Sequence, residues 1–188
     1  MKHILLSLVL LLIPSVALAQ EPGGVPAAPD NTPNAASAFV ADFKLIQAYR
    51  SQTFGNLKLP TRWTVTDEKN HLRAVEELND MPAALDIFLL DKLPDTSKES
   101  LISNISASIG QNLQDSKKYN QENITIEGTK VSPTFIQIEG TEEGVPRTIG
   151  LLFVMTGKKL YILAVSSPAA RTLPRTHKDL LIDIFKNM

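Results

Sequence analysis

VPRTIGLLFVMTGKKLYILAVS, residues 145–166, decides how this chain folds. Two apolar runs, Ile149–Met155 and Leu160–Val165, flank Gly157-Lys158, a connection too short and polar to carry a crossover helix. The two strands therefore run antiparallel. Successive residues of a strand point to opposite faces, and here both sets are apolar. Both faces are then covered, which places the pair at the centre of its sheet.

Reading upstream, Thr129–Gly140 and Asn123–Glu127 are expected as two more strands. Gly128 and Thr141-Glu142-Glu143-Gly144 supply the turns that make the four a meander, and Gln114–Glu122 is left as a polar connection. Thr61–Thr66 and Leu72–Leu78 read as strands about the polar turn Asp67–Asn70. Ala83–Asp91 follows, with Leu85, Ile87 and Leu89 on one side and Ala84, Phe88 and Leu90 on the other; Asp86 is the exception in an apolar strand. Thr96-Ser97-Lys98-Glu99 is a capping box, opening a helix whose stripe is Leu101, Ile102, Ile105, Ile109 and Leu113. Leu180, Leu181, Ile184, Phe185 and Met188 form the inner face of a last helix starting near Arg175, with Pro174 in its first turn. Phe39, Val40, Phe43, Ile46 and Tyr49 recur at offsets of three and four, predicting an amphipathic helix over 36–51. The resulting class is α+β: an antiparallel sheet of six to seven strands flanked by helices, a three-layer α/β/α sandwich.

Residues 1–19 read as a secretory signal peptide: Lys2, the apolar run Ile4–Ile13 and the small-residue exit Ala17-Leu18-Ala19, with cleavage between Ala19 and Gln20. The expected product is soluble and periplasmic or secreted. Residues 20–35, rich in Pro, Gly and Ala, form a flexible linker, and 36–188 form one domain. Removing the leader takes one Lys and no acid, leaving 18 basic against 20 acidic residues, a balance that steers the protein toward neither nucleic acid nor acidic lipid. The chain has no Cys, which excludes a thiol nucleophile, a zinc–thiolate site, a disulfide framework and a lipid anchor on cysteine. No second apolar run is long enough to span a bilayer.

No catalytic constellation emerges. His71 and His177 stand apart from any metal-spaced or triad-like cluster and are expected as solvated histidines. Glu76, Glu77, Asp80 and Asp86 make the densest acidic region, the one place where carboxylates could converge to hold a cation or do acid–base chemistry. Adjacent strand residues such as Glu76 and Glu77 point apart, however, and no calcium-loop motif is present. No P-loop or dinucleotide fingerprint occurs, and no metal, cofactor or catalytic residue is assigned. The residues suited to touching a partner are Phe39, Phe43 and Tyr49 on the first helix face, the single Trp63, and Arg171 and Arg175 before and at the start of the last helix.

The order of elements, from the strand pair with its Pro60-x-x-Trp63 start through a further strand, the capped helix and the meander to the closing helix, resembles the PsbP-like superfamily over about Leu57–Met188. That superfamily includes the extrinsic photosystem II subunit, a Ran-binding nuclear import factor and small exported bacterial proteins. The resemblance implies a PsbP-like sandwich that binds other proteins, with no shared catalytic residues to carry over. The chain departs from the bacterial lipoproteins of that group in lacking their lipidated Cys. The expected function is a non-catalytic accessory or interaction module of the bacterial envelope, its partner another envelope or secreted protein. The alternative is a small-ligand or metal-ion binder, or a hydrolase, built on the acidic strands.

Overall fold

The computed structural model describes residues 45–77, 82–91, 96–127, 129–157, 159–169 and 176–188. Seven strands form one antiparallel sheet: β3 (Trp63–Glu68), β4 (His71–Glu76), β5 (Ala84–Asp91), β6 (Gln114–Asn123), β7 (Thr134–Glu142), β8 (Val145–Thr156) and β9 (Lys159–Pro168). Their spatial order is β3-β4-β5-β9-β8-β7-β6, so the hairpin β8–β9 sits near the middle, as its two apolar faces require. A separate two-stranded sheet joins β1 (Leu45–Ser51) to β2 (Gly55–Pro60).

Two apolar clusters, one on each side of the sheet, hold the layers together. Helix α1 (Lys98–Gly110) covers one face, packing Leu101, Ile102, Ile105 and Ile109 on Phe88, Ile136, Leu151, Phe153 and Ile162. Helix α2 (His177–Lys186) and the β1–β2 hairpin cover the other, where Leu180, Leu181, Ile184, Leu57 and Leu59 meet Leu72, Leu85, Ile87, Leu152, Leu163 and Val165. The chain is an α+β sandwich with an antiparallel sheet as its middle layer.

Three expectations change. Residues 45–51 of the predicted N-terminal helix are strand β1, and 36–44 lie outside the described residues, as do the leader and linker. Over so short a window the helical pattern coincides with a period of two: Gln47, Tyr49 and Ser51 turn inward while Ala48 and Arg50 are exposed. Ser51 Oγ accepts from the amides of Thr53 and Phe54 (3.2 and 3.1 Å) and Gly55 adopts φ +78, which closes the turn into β2 and settles the choice. The cap of α1 is Ser97 rather than Thr96, with Ser97 Oγ accepting from Ser100 N at 3.1 Å. The polar connection 114–122 is strand β6, whereas 124–127 and 129–133 are loop. That loop still buries Ile126 and lays Ile124 and Val131 against the core, so its apolar residues mark packing, not pairing.

The β7–β8 turn is Glu143-Gly144, both at positive φ (49° and 82°), the type I′ geometry that matches strand twist. It holds Glu142 opposite Val145 and Arg147 opposite Gly140.

Candidate functional site

The titratable groups with the most unusual surroundings lie on the α1 face. Asp86, in β5, is 2% exposed. Its Oδ1 lies 2.8 Å from His71 Nε2 and 3.8 Å from Arg73 Nη1, both on the adjacent strand β4, where Arg73 is its direct cross-strand partner. The His71 ring stacks on Phe88, centroids 4.3 Å apart and planes 4° from parallel. An ionised carboxylate only accepts, so Nε2 carries the proton that bonds to Asp86. At the neighbouring hairpin, Arg147 Nε lies 3.0 Å from Glu142 Oε2 and Arg147 Nη1 donates to the Pro82 carbonyl at 2.9 Å. Burial pushes both the Asp86 and Glu142 carboxyls above their ordinary range; His71 and Arg73 pull Asp86 back, and Arg147 pulls Glu142 back. Opposite charges are therefore matched within the cluster, which ties β4, β5, the Pro82 backbone and the β7–β8 hairpin together.

This geometry changes the reading of His71, which is a half-buried, bonded and stacked residue in place of a solvated one. It also separates the acidic region. Trp63 pairs with Glu76, and Leu72 and Ala74 belong to the α2-side core, so alternation along β4 puts Glu76 on that face while Asp86 faces α1. The Glu76 carboxylate is near the Ala83 amide (3.4 Å), Glu77 accepts from Thr64 Oγ1 (2.7 Å), and Asp80 lies outside the described residues. Among the described residues no three His, Asp or Glu side chains converge as metal ligands.

His177 is likewise buried, 6% exposed at the start of α2. Its Nε2 lies 2.9 Å from Ser167 Oγ, and its Cβ rests on Gly150, where an added Cβ would come within 2.6 Å. Thr176 caps the helix, its Oγ1 accepting from Asp179 N at 3.1 Å. Burial lowers the His177 pKa to about 4. The folded protein therefore keeps this imidazole neutral where the unfolded chain would protonate it, and stability falls as pH drops from about 6.5 to about 4. By linkage the contribution lost is roughly 3 kcal/mol. Asp86 acts in the opposite sense, because a carboxyl raised by burial favours the folded state as pH falls through its folded value. Urea titrations at stepped pH should show wild type losing stability over that window and His177→Gln losing less. Parallel profiles for the two would remove His177 as the source.

The partner-binding candidates do not assemble into one surface among the described residues. Trp63 is 5% exposed, in the core beneath the β1–β2 hairpin. Tyr49 packs against the same core, its phenol pushed up by burial and by the Asp67 carboxylate, with which it hydrogen-bonds. Phe39, Phe43, Arg171 and Arg175 lie outside the described residues.

A sheet edge is the kind of surface expected to meet a partner; what sequence reasoning did not give is which strands, β3 and β6, form the two ends of the large sheet. At one end β6 pairs, among the described residues, with β7 alone, and every described β6 side chain is exposed. Tyr119, 39% exposed, is the one exposed large hydrophobic side chain among the described residues. Register breaks at Gln114/Lys117 and Tyr119/Glu122 bulge the strand on either side of Lys117-Lys118-Tyr119. A solvated strand has no apolar alternation, which is why β6 left no periodic signal. At the other end β3 pairs with β4 in unbroken register over all six residues. Asp86 inside an apolar run and Gly150 inside another were visible signals, of a buried polar group and of a close approach respectively.

No family model matches the chain, and no curated protein matches it significantly. Among solved structures it is similar to a variant of the protein Mog1 (TM-score 0.54, 13% identity, covering 75% of this chain and 93% of that one). It is also similar to LpqN, involved in cell envelope biogenesis of Mycobacterium tuberculosis (TM-score 0.51, 15% identity, covering 74% and 87%). A protein of unknown function, PA94 from Pseudomonas aeruginosa, overlaps more loosely (TM-score 0.46, 14% identity, covering 66% and 83%). At these identities the likeness is one of fold: this chain shares the α+β sandwich of Mog1 and LpqN.

Proposed function

We propose that the protein is an exported, non-catalytic accessory module of the bacterial envelope, a PsbP-like domain that binds another envelope or secreted protein through strand β6. The observation that carries this reading is β6 itself: a ten-residue edge strand with all its described side chains in solvent and Tyr119 at its centre. Its two bulges and the lysines Lys117 and Lys118 discourage indiscriminate strand addition. Recognition then falls to side chains: Tyr119 is an aromatic anchor with Lys117 on its own face of the strand and Lys118 on the other, which suits an acidic partner surface with a slot for the tyrosine ring. The leader supplies the address, and the role in cell envelope biogenesis described for LpqN, of like fold, is compatible with it. The ligand-binding or hydrolytic alternative loses its geometric basis where Glu76 and Asp86 face opposite sides of the sheet and Arg73 answers Asp86.

The test is a photo-crosslinking amino acid at Tyr119 in the full chain expressed in a bacterium, with Ser103 on the exposed side of α1 as control position. A single protein adduct is expected at Tyr119 and absent at Ser103, on a chain whose N-terminus is Gln20 and which fractionates with the periplasm or medium. Lys117→Glu combined with Lys118→Glu should cut adduct yield by about fivefold or more without moving the melting temperature, because exposed charges act on association more than on folding. Equal adducts at Tyr119 and Ser103, or none at either, would overturn the reading.

A further inference from the structure

The end strand opposite β6, with β4 as its one strand partner among the described residues, is built differently. Strand β3 carries no bulge, no proline and no lysine, and its middle is the β-branched run Thr64-Val65-Thr66. Glu77 N donates to the Arg62 carbonyl at 3.1 Å, and on the far side of β4, Glu76 N donates to the Ala83 carbonyl at 3.1 Å. The alternation of an antiparallel ladder then assigns Thr64, Thr66 and Glu68 to bonds with β4 and turns the Val65 and Asp67 backbone groups outward. Thr64, Thr66 and Glu68 expose their side chains on the α1 side of the sheet, and Arg62, at the corner before the strand, is exposed as well.

The segment reads R-W-T-V-T-D-E from Arg62 to Glu68; about Val65 it sets threonine opposite threonine and arginine opposite glutamate, with Trp63 opposite Asp67 on the α2 side. We propose that β3 pairs antiparallel with β3 of a second copy of this chain, about a two-fold axis through Val65. In that register Val65 meets Val65 of the second copy as a pair exchanging both backbone hydrogen bonds. Thr64 meets Thr66 on the exposed face, where directly opposed threonines stabilise a ladder. Arg62 of each copy meets Glu68 of the other, so two ion pairs of opposite polarity close the ends. Shifting the register by two residues loses the Arg62–Glu68 match: one shift sets Thr64 opposite Glu68 and Thr66 against itself, the other sets Thr64 against itself and Arg62 opposite Thr66. Charge complementarity thus selects one arrangement and one occupant. The result is an isologous dimer in which two seven-stranded sheets become continuous. The surface is separate from β6, so dimerisation leaves the proposed partner strip open.

Analytical ultracentrifugation of the full exported chain is expected to show a concentration-dependent monomer–dimer equilibrium. Val65→Pro should make it monomeric with little change in melting temperature, since that residue's N–H points away from β4 and proline is tolerated on an edge facing solvent. Arg62→Glu alone and Glu68→Arg alone each set like charges together and should weaken the dimer at least about tenfold. An equimolar mixture of the Arg62→Glu chain and the Glu68→Arg chain should restore it, because each reversed charge then finds its complement. A chain that stays monomeric up to about 100 µM, or a dimer indifferent to Val65→Pro and not rescued by mixing, overturns the proposal. Either outcome leaves crosslinking at Tyr119 to be judged independently.

Discussion

Asp86→Ala is expected to destabilise the protein by about 3–5 kcal/mol, the range for removing one partner of a buried ion pair. The carboxylate is 2% exposed and answers both His71 Nε2 and Arg73 Nη1. Truncation leaves the His71 donor facing a void between Phe88 and Ala84, and it leaves the half-buried Arg73 guanidinium without its direct cross-strand carboxylate. Asp86→Asn separates charge from shape. Its amide oxygen can still accept from His71, and because burial already works against the ionised carboxylate, losing the charge should cost only about 1 kcal/mol. Equilibrium urea unfolding of the two variants decides this: similar losses would mean that the attraction of Arg73 outweighs desolvation and that the charge itself holds β4 to β5.

Gly150→Val should rank beside it, at about 3 kcal/mol or more, since overpacking with no room to relax lies at the upper end of such costs. A Cβ at this position would come within 2.6 Å of the His177 Cβ and 3.2 Å of the Phe135 ring. Neither neighbour yields easily: His177 is fixed by its Ser167 bond and the Thr176 cap, and Phe135 is packed in the α2-side core. Relief requires α2 to lift, which draws Leu180, Leu181 and Ile184 from the sheet. A fall in melting temperature of about 6–12 °C is expected for a domain of this size. Combining Gly150→Ala with His177→Gly should cost less than the sum of the two single changes, because the second removes the atom that the first strikes. Additive losses would show that the strain lies against Phe135.

Much of this architecture is written in local pattern. Residues 145–166 announce two central strands because both of their alternating sets are apolar, and Leu101, Ile105 and Ile109 announce a helix that covers them. Turn chemistry is similarly local: Glu143-Gly144 tolerates the positive φ that a two-residue hairpin demands. The misreadings fall where no local signal exists. Strand β6 carries polar residues on both faces, so nothing but the backbone of β7 makes it a strand. In β1 the helical and strand periods coincide, and pairing with β2 makes the choice.

The sequence by itself determined the class of fold, the order of β3–β5, α1, β7–β9 and α2, much of the apolar composition of the two cores and the absence of thiol chemistry, because each follows from the period or identity of residues close along the chain. Only the tertiary structure decided which polar residues are neighbours. It set Arg73 against Asp86, parted Glu76 from Asp86 across the sheet, slid His177 onto Gly150, and left β3 and β6 as differently guarded edges. Those relations depend on register between strands distant in sequence. A shift of one residue in that register would carry every one of these side chains to the other face.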